Sequence, residues 1–252
     1  MASKSKRPAS YDLKAADRKR NLAVQIGLTA VVILFAVGLV GWIVLHSDKK
    51  QSGEVHAVRV TSSKLVTKEG SSDPKAVVSF YEDFQCPHCA AFEKAFGPTV
   101  NKLINSGAIA ADYYMVSILN SPANDKYSTR SANAAYCVAD ADTTPNKDSF
   151  QRFRTALFAQ QPAEGGTAPD NKALIETARQ SGVVGSVPDC VNTGKFADMV
   201  DGLAKATKIN ATPTVRINGE DYQYSTPDAL VAKVKEVVGN VPGLDSAAAT
   251  AN

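Results

Sequence analysis

The chain has 252 residues, of which 44% are hydrophobic and 21% charged, enough apolar sequence for one medium-sized domain with appendages. Its net charge of +3 is unevenly distributed. Residues 1–20 contain seven Lys or Arg against Asp12 and Asp17, a net +5 that leaves −2 for the remainder. The basic balance therefore belongs to the N-terminal tail, and the rest of the chain has no charge pattern typical of a nucleic-acid-binding surface.

A long uncharged segment follows the tail, because no charged residue occurs from Leu22 to Leu45. As a helix it would reach roughly 36 Å, more than the ~30 Å hydrocarbon core of a bilayer. A cleaved signal peptide or a buried core helix are the alternatives, but the run is longer than a signal-peptide core and a charged segment (46–50) follows it. The pattern predicts a cytoplasmic tail (1–21), an uncleaved transmembrane anchor (22–46) and a linker (47–53).

The segment around residue 86 carries the clearest chemistry. An apolar run (Ala76–Tyr81) leads through an acidic turn to Cys86, Pro87, His88 and Cys89, and an amphipathic helix pattern begins at once. Cys86 falls at the helix N-cap, and Pro87 at the first helical position, where its missing N–H costs nothing. The free N–H groups and the positive dipole end of the helix favour a thiolate on Cys86. With Cys89 one turn further on, the pattern predicts a dithiol/disulfide switch.

The other elements change in type along the chain. Three strand-like runs, at 55–60, 76–81 and 109–119, are followed by a block of helical periodicity at 128–208, in which the last helical pattern is 187–208. Strand patterns return at 214–217 and 222–224, around Asn218-Gly219, which is typical of a hairpin turn. Thr226 is expected to cap a last helix, and residues 241–252 are expected to be disordered.

This order of elements, with the Cys-Pro-His-Cys segment and the Thr212-Pro213 pair before the hairpin, resembles the DsbA-like thiol:disulfide oxidoreductases of the thioredoxin superfamily. It is most similar to the membrane-anchored branch of Gram-positive bacteria and actinobacteria, close to the mycobacterial proteins. The resemblance covers roughly residues 54–240. It implies a thioredoxin-like α/β fold with an all-helical insertion at about 126–208, preceded by the single transmembrane helix, and a catalytic domain outside a bacterial cell membrane.

The same resemblance implies a role for each motif. Cys86 would be the exposed, substrate-linking nucleophile, Cys89 the buried resolving cysteine, and Thr212-Pro213 the cis-proline pair beside them. Independently of the resemblance, His88 lies beside the expected Cys86 thiolate and can add a hydrogen bond or partial positive charge, so we expect it to tune the oxidising power of the pair. Reduced exported proteins are the expected clients, a VKOR-like or DsbB-like membrane protein the expected reoxidising partner, and no metal or organic cofactor is implied.

One position departs from the family pattern. Many thioredoxin relatives have a buried carboxylate six residues before the first cysteine, where this chain has Phe80. Glu82 and Asp83 either substitute for that carboxylate or are solvated residues of the turn, and the sequence leaves both interpretations open.

The four cysteines all follow the predicted anchor, on the side of the membrane where disulfides persist. Cys137 and Cys190 both fall in the helical block and have no C-x-x-C partner, so we expect them to pair with each other; the alternative is two buried free thiols. A zinc-binding or structural membrane module is the rival function of a different class, but suitably spaced further ligands are missing. Haem attachment is excluded because Ala90, not a histidine, follows Cys89.

The direction of the redox reaction is the remaining question. Isomerases of this superfamily usually carry a dimerisation domain before the thioredoxin fold, and the linker leaves no room for one. The Pro87-His88 dipeptide also resembles that of oxidising members rather than the Gly-Pro of reductases. We therefore expect an oxidase that donates the Cys86–Cys89 disulfide, with isomerase or reductase as the alternative.

Overall fold

The computed structural model describes residues 56–183 and 185–244. The strands there are β1 (Val58–Val60), β2 (Val77–Glu82), β3 (Ala110–Met115), β4 (Thr214–Ile217) and β5 (Glu220–Asp221). The helices are α1 (Pro87–Asn105), α2 (Tyr127–Ala141), α3 (Asp148–Ala159), α4 (Asn171–Gln180), α5 (Val187–Thr193), α6 (Ala197–Thr207) and α7 (Pro227–Val238). The predicted tail, anchor and linker and most of the C-terminal segment lie outside the described residues. No helix of the described part is both long and apolar enough to cross a bilayer.

The five strands form one mixed sheet in the order β1-β3-β2-β4-β5. Strand β2 is central, parallel to β3 and antiparallel to β4. Because it is covered on both faces, its residues are mostly apolar and Val78 and Phe80 are almost completely buried. Helix α1 makes the crossover from β2 to β3, and this connection places the N-terminus of α1 directly after the end of the central strand.

Helix α1 packs on the sheet through one apolar stripe, which comprises Phe92, Phe96, Val100, Leu103 and Ile104. The residues of the expected periodic pattern therefore form the buried face of the helix. The helix continues through Pro98 for a total length of 19 residues. The connection to β2 holds the N-terminus of α1, and the buried stripe holds the helix along its length. The two cysteines at this N-terminus are therefore fixed in place.

Five helices, α2 to α6, lie between β3 and β4. Helix α2 is their centre, and its small residues, among them Ala132, Ala134 and Ala135, are buried where the other helices pack against it. A disulfide between Cys137 of α2 and Cys190 of α5 joins two of these helices. The two residues are 53 positions apart in sequence.

Three sequence expectations differ from the structure. The helical pattern at 187–208 is two helices, because Gly194 ends α5 in the left-handed conformation at φ 65°. Strand β3 stops at Met115, and the Leu119 N–H instead donates to the Asp83 carboxylate at 2.9 Å. The hairpin turn has Asn218 and Gly219 at φ 50° and 89°. A two-residue turn of this kind pairs Glu220 with Ile217, so the last strand is Glu220–Asp221 and not 222–224.

Candidate active site

The two active-site cysteines occupy the first turn of α1. Cys86 is the N-cap, with extended backbone angles of φ −81° and ψ 116°, and Pro87 is the first helical residue. The Cys86 thiol donates to the backbone carbonyl of Thr212 at 3.3 Å, next to the cis bond between Thr212 and Pro213. The structure therefore brings these predicted site residues together, whereas Cys137 and Cys190 lie apart from them in the helical insert.

Cys86 and Cys89 are both free thiols and differ in exposure less than expected. Cys89 is fully buried, but Cys86 is also buried and only 5% exposed. The expectation of an exposed Cys86 is wrong for this state, because Thr212 lies against its sulfur. Pro87 and the ring of His88 are exposed beside it.

The surroundings of Cys86 favour its thiolate. A hydrogen bond from the Cys89 thiol is the largest cause, and the Thr212 side chain and the backbone N–H groups of Cys89 and His88 add to it. Burial opposes ionisation, but the donors prevail and lower the pKa of Cys86 to about 5. His88 acts here through its backbone N–H.

Cys89 has the opposite preference. Burial raises its pKa well above the ordinary range for a thiol, and its donation to the Cys86 sulfur and the negative charge of Glu82 raise the pKa further. The pair thus holds one thiolate at Cys86 and one proton at Cys89. This distribution suits a nucleophilic cysteine with a protonated resolving partner.

The two carboxylates before Cys86 are buried, so their interpretation as solvated turn residues is wrong. Glu82 is 1% exposed and binds Arg154 through two hydrogen bonds of 2.5 and 2.7 Å. Arg154 also donates to Glu93 at 2.6 Å. Burial raises the pKa of Glu82, and the charge of Arg154 opposes that rise. Phe80 instead packs in the core, with its ring stacked on Tyr113.

Asp83 serves the backbone. It accepts N–H groups from Gln85 and Leu119, both at 2.9 Å, while burial raises its pKa. Its carbonyl accepts the Cys86 N–H at 2.9 Å. Asp83 therefore fixes the loop that leads into the nucleophile.

Four residues near the site were not identified from the sequence. They are Gln85, Arg154, Gln161 and Tyr224. Tyr224 sets its ring edge-on to Phe92 and Phe96 and is 38% exposed. Gln161 donates to the carbonyl of Cys86 itself at 2.9 Å. Only Gln85 adjoins a recognisable motif, and the others come from distant segments with no local signal.

A thiolate at a helix N-terminus, a buried thiol one turn further and a cis-proline peptide beside them define a dithiol/disulfide exchange site on a thioredoxin fold. Among the described residues, no cluster of three or more His, Cys, Asp or Glu side chains is arranged to hold a metal ion. Cys137 and Cys190 are joined to each other, so neither offers a thiolate to the active-site pair.

Comparison with known proteins identifies the family. The family model described as thioredoxin matches residues 65–236. The structure of reduced DsbA from Mycobacterium tuberculosis is 62% identical, with a TM-score of 0.74 over 78% of this chain and 99% of that one. A reduced disulfide bond oxidoreductase (DsbG) from the same organism is 61% identical, with a TM-score of 0.74 over 81% and 98%. BdbD from Bacillus subtilis, 21% identical with a TM-score of 0.54 over 73% and 100%, shares the fold.

A comparison with curated protein sequences gave no match. The family model and the mycobacterial structures are sufficient: the chain belongs to the DsbA-like thiol:disulfide oxidoreductases of the thioredoxin superfamily.

Proposed function

We propose that this protein is the membrane-anchored oxidase of an extracytoplasmic folding pathway, which donates the Cys86–Cys89 disulfide to reduced exported proteins. The observation that carries the direction is the position of Cys86 at the N-cap of α1, where the Cys89 thiol and the N–H groups of Cys89 and His88 face its sulfur and lower its pKa to about 5. A stabilised thiolate favours the reduced enzyme, and an enzyme that favours its reduced form passes its disulfide on readily.

The reaction has two exchange steps. A client thiolate attacks the Cys86 sulfur; the Cys86–Cys89 bond breaks, and its electron pair goes to the Cys89 sulfur, which takes up a proton in its buried position. A second client thiolate then attacks the client sulfur of the mixed disulfide. The client disulfide forms, Cys86 leaves as a thiolate, and two electrons remain on the enzyme dithiol.

Those two electrons must leave for the next cycle. We propose a VKOR-like or DsbB-like membrane protein as the acceptor, in agreement with the expectation drawn from the family. The uncharged segment Leu22–Leu45 would hold the enzyme in the plane of this partner, with the N-terminus in the cytoplasm and the catalytic domain outside the bacterial cell membrane. Washing membranes at alkaline pH tests the anchor: the full chain should stay with the membrane, and a chain that begins at residue 47 should not.

Oxidative refolding tests the direction. Oxidised full-length protein is mixed with a reduced, unfolded client that needs several disulfides, and in parallel with the same client carrying scrambled disulfides. An oxidase converts client thiols to disulfides in the first mixture, in proportion to the enzyme added. In the second mixture it restores little of the native client. Faster recovery of the scrambled client would favour the isomerase alternative.

A further inference from the structure

Two glutamines join the active-site loop to the helical insert. Gln85 is the residue before Cys86, and Gln161 follows α3 at the edge of the insert. Each side chain crosses the junction and binds the backbone of the opposite segment. The pair is called the glutamine clasp below.

The hydrogen bonds of the clasp are reciprocal. Gln161 Nε2 donates to the carbonyls of Phe84 at 3.0 Å and Cys86 at 2.9 Å. Gln85 Nε2 donates to the carbonyls of Pro162 at 3.1 Å and Ala163 at 2.9 Å. Both N–H groups of each amide are therefore used, and the two segments are fixed to each other on both sides of the nucleophile.

Gln85 is fully buried, and none of the described groups donates to its Oε1. A buried amide oxygen without a donor costs stability, so an apolar residue at this position would suit the core better. We therefore attribute the role of the Gln85 amide to its two N–H groups, which bind the loop directly after Gln161.

The Cys86 carbonyl is a sensitive place for a hydrogen bond. It already accepts the N–H groups of Cys89 at 3.0 Å and Ala90 at 3.2 Å as the first acceptor of α1. Gln161 adds a donor from outside the helix and so fixes the peptide plane that follows Cys86. A rotation of that plane changes the ψ angle of Cys86 and with it the direction of the Cys86 side chain relative to the N–H groups of His88 and Cys89.

We propose that Gln161 is a positioning residue for the nucleophile: it holds the backbone on either side of Cys86 so that the sulfur faces the N-terminal donors of α1, and Gln85 keeps Gln161 in place. The helical insert then sets the reactivity of a cysteine that belongs to the thioredoxin core. The inference rests on Cys86 as the nucleophile and not on the direction of the overall reaction.

The test compares full-length Gln161→Ala and Gln161→Met with Gln160→Ala, an exposed glutamine next to it in sequence. The rate of Cys86 alkylation in the reduced protein is measured against pH, together with thermal unfolding. In both Gln161 variants the midpoint should move towards that of an ordinary thiol, with the rate at pH 5 lower by a factor of about 3. Gln160→Ala should match the wild type.

The other outcomes refute either the role of Gln161 or the assignment of Cys86 as the nucleophile. An unchanged midpoint in folded Gln161→Ala and Gln161→Met would overturn the proposal, and so would failure of both to fold, which would make Gln161 a structural residue. A wild-type midpoint near that of an ordinary thiol would instead refute Cys86 as the activated nucleophile, so the two failures can be told apart.

Discussion

Cys86 and Cys89 are three positions apart in one helical turn, and their surroundings give them opposite preferences. The sulfur of Cys86 faces hydrogen-bond donors, which stabilise its anion. Cys89 is fully buried, and the hydrogen bond that its thiol donates to Cys86 is the largest contribution to this stabilisation. The asymmetry therefore depends on the donors at the helix terminus, which face Cys86, and on the complete burial of Cys89.

The first prediction concerns pH. Alkylation of Cys86 in the reduced protein should be half-maximal near pH 5 and flat at neutral pH, whereas an ordinary thiol titrates at about 8.5. Because the folded pKa lies below the unfolded one, the thiolate stabilises the reduced fold fully above about pH 8.5, and this contribution is lost as the pH falls through about 5. Rates with iodoacetamide between pH 4 and 9 measure the midpoint, and a midpoint above 7 would contradict the assigned donors.

The second prediction concerns the roles of the two cysteines. Cys86→Ser should lose all thiol exchange with clients, because the remaining active-site thiol, Cys89, is fully buried and protonated. Cys89→Ser should accumulate mixed disulfides with an oxidised client, since the Cys86 thiolate attacks the client disulfide, one client sulfur leaves as a thiolate, and no Cys89 thiol is present to resolve the product. Non-reducing gels of the two variants after mixing with an oxidised client separate these outcomes. Client adducts on Cys86→Ser would reverse the assignment.

The sequence is sufficient to locate the cysteines and the Thr212-Pro213 pair, because the chemistry of a C-x-x-C at a helix start is local. The supporting side chains are not predictable in this way. Arg154 is 72 positions from Glu82, and Gln161 is 75 positions from Cys86. Only the packing of the insert brings them to the site. The burial of Glu82 depends on its pairing with Arg154, which is distant in sequence. The sequence alone therefore could not decide whether Glu82 is buried or solvated.

At the scale of elements, a buried ion network joins β2, α1 and α3. Arg154 lies between Glu82 and Glu93, with its guanidinium over the ring of Tyr113 at 4.6 Å. One cation thus serves two carboxylates within the core. Such a network contributes little net stability when it is complete, but it is costly to break.

The third prediction follows from this network. Arg154→Met should lower the free energy of unfolding by about 3–5 kcal/mol, because it leaves Glu82 buried without a partner. Glu82→Leu with Arg154→Met should recover most of the loss. Arg179→Met, at an exposed ion pair with Glu176, is the control and should change little. Urea unfolding measures all three, and equal effects of Arg154→Met and Arg179→Met would argue against a buried network.

The fourth prediction concerns the disulfide between α2 and α5. Replacing Cys137 and Cys190 together by Ala should lower stability by about 4 kcal/mol, because the closed loop of 53 positions no longer restricts the unfolded chain. The midpoint of Cys86 alkylation should stay where it is, since the bond lies apart from the active site. A changed midpoint would show that the disulfide supports the active site as well as the insert.

Element boundaries were less accessible to prediction than element types. The apolar pattern at 187–208 runs on through Gly194, so only the left-handed backbone there reveals two helices. In the hairpin, the Tyr222–Tyr224 segment has stronger strand character than Glu220–Asp221. The two-residue turn nevertheless determines the register and pairs the acidic residues, and Tyr224 packs against α1 instead.

At the scale of the whole molecule, a thioredoxin core supplies the reactive turn and a helical insert supports it through Arg154 and Gln161. The fold was predictable because the Cys-Pro-His-Cys turn, the Thr-Pro pair and the helical block occur in the family's order. The proposed anchor and partner belong to the same scale, since together they would return the dithiol to its disulfide after each client.

The reduction potential of the Cys86/Cys89 couple tests the central claim most directly. Full-length protein is equilibrated with glutathione buffers, and the fraction of reduced active site is read from alkylation of Cys86. The account predicts a strongly oxidising couple, less negative than about −180 mV and nearer to about −120 mV. A value near the −270 mV that is typical of thioredoxin, to within about 30 mV, would contradict it.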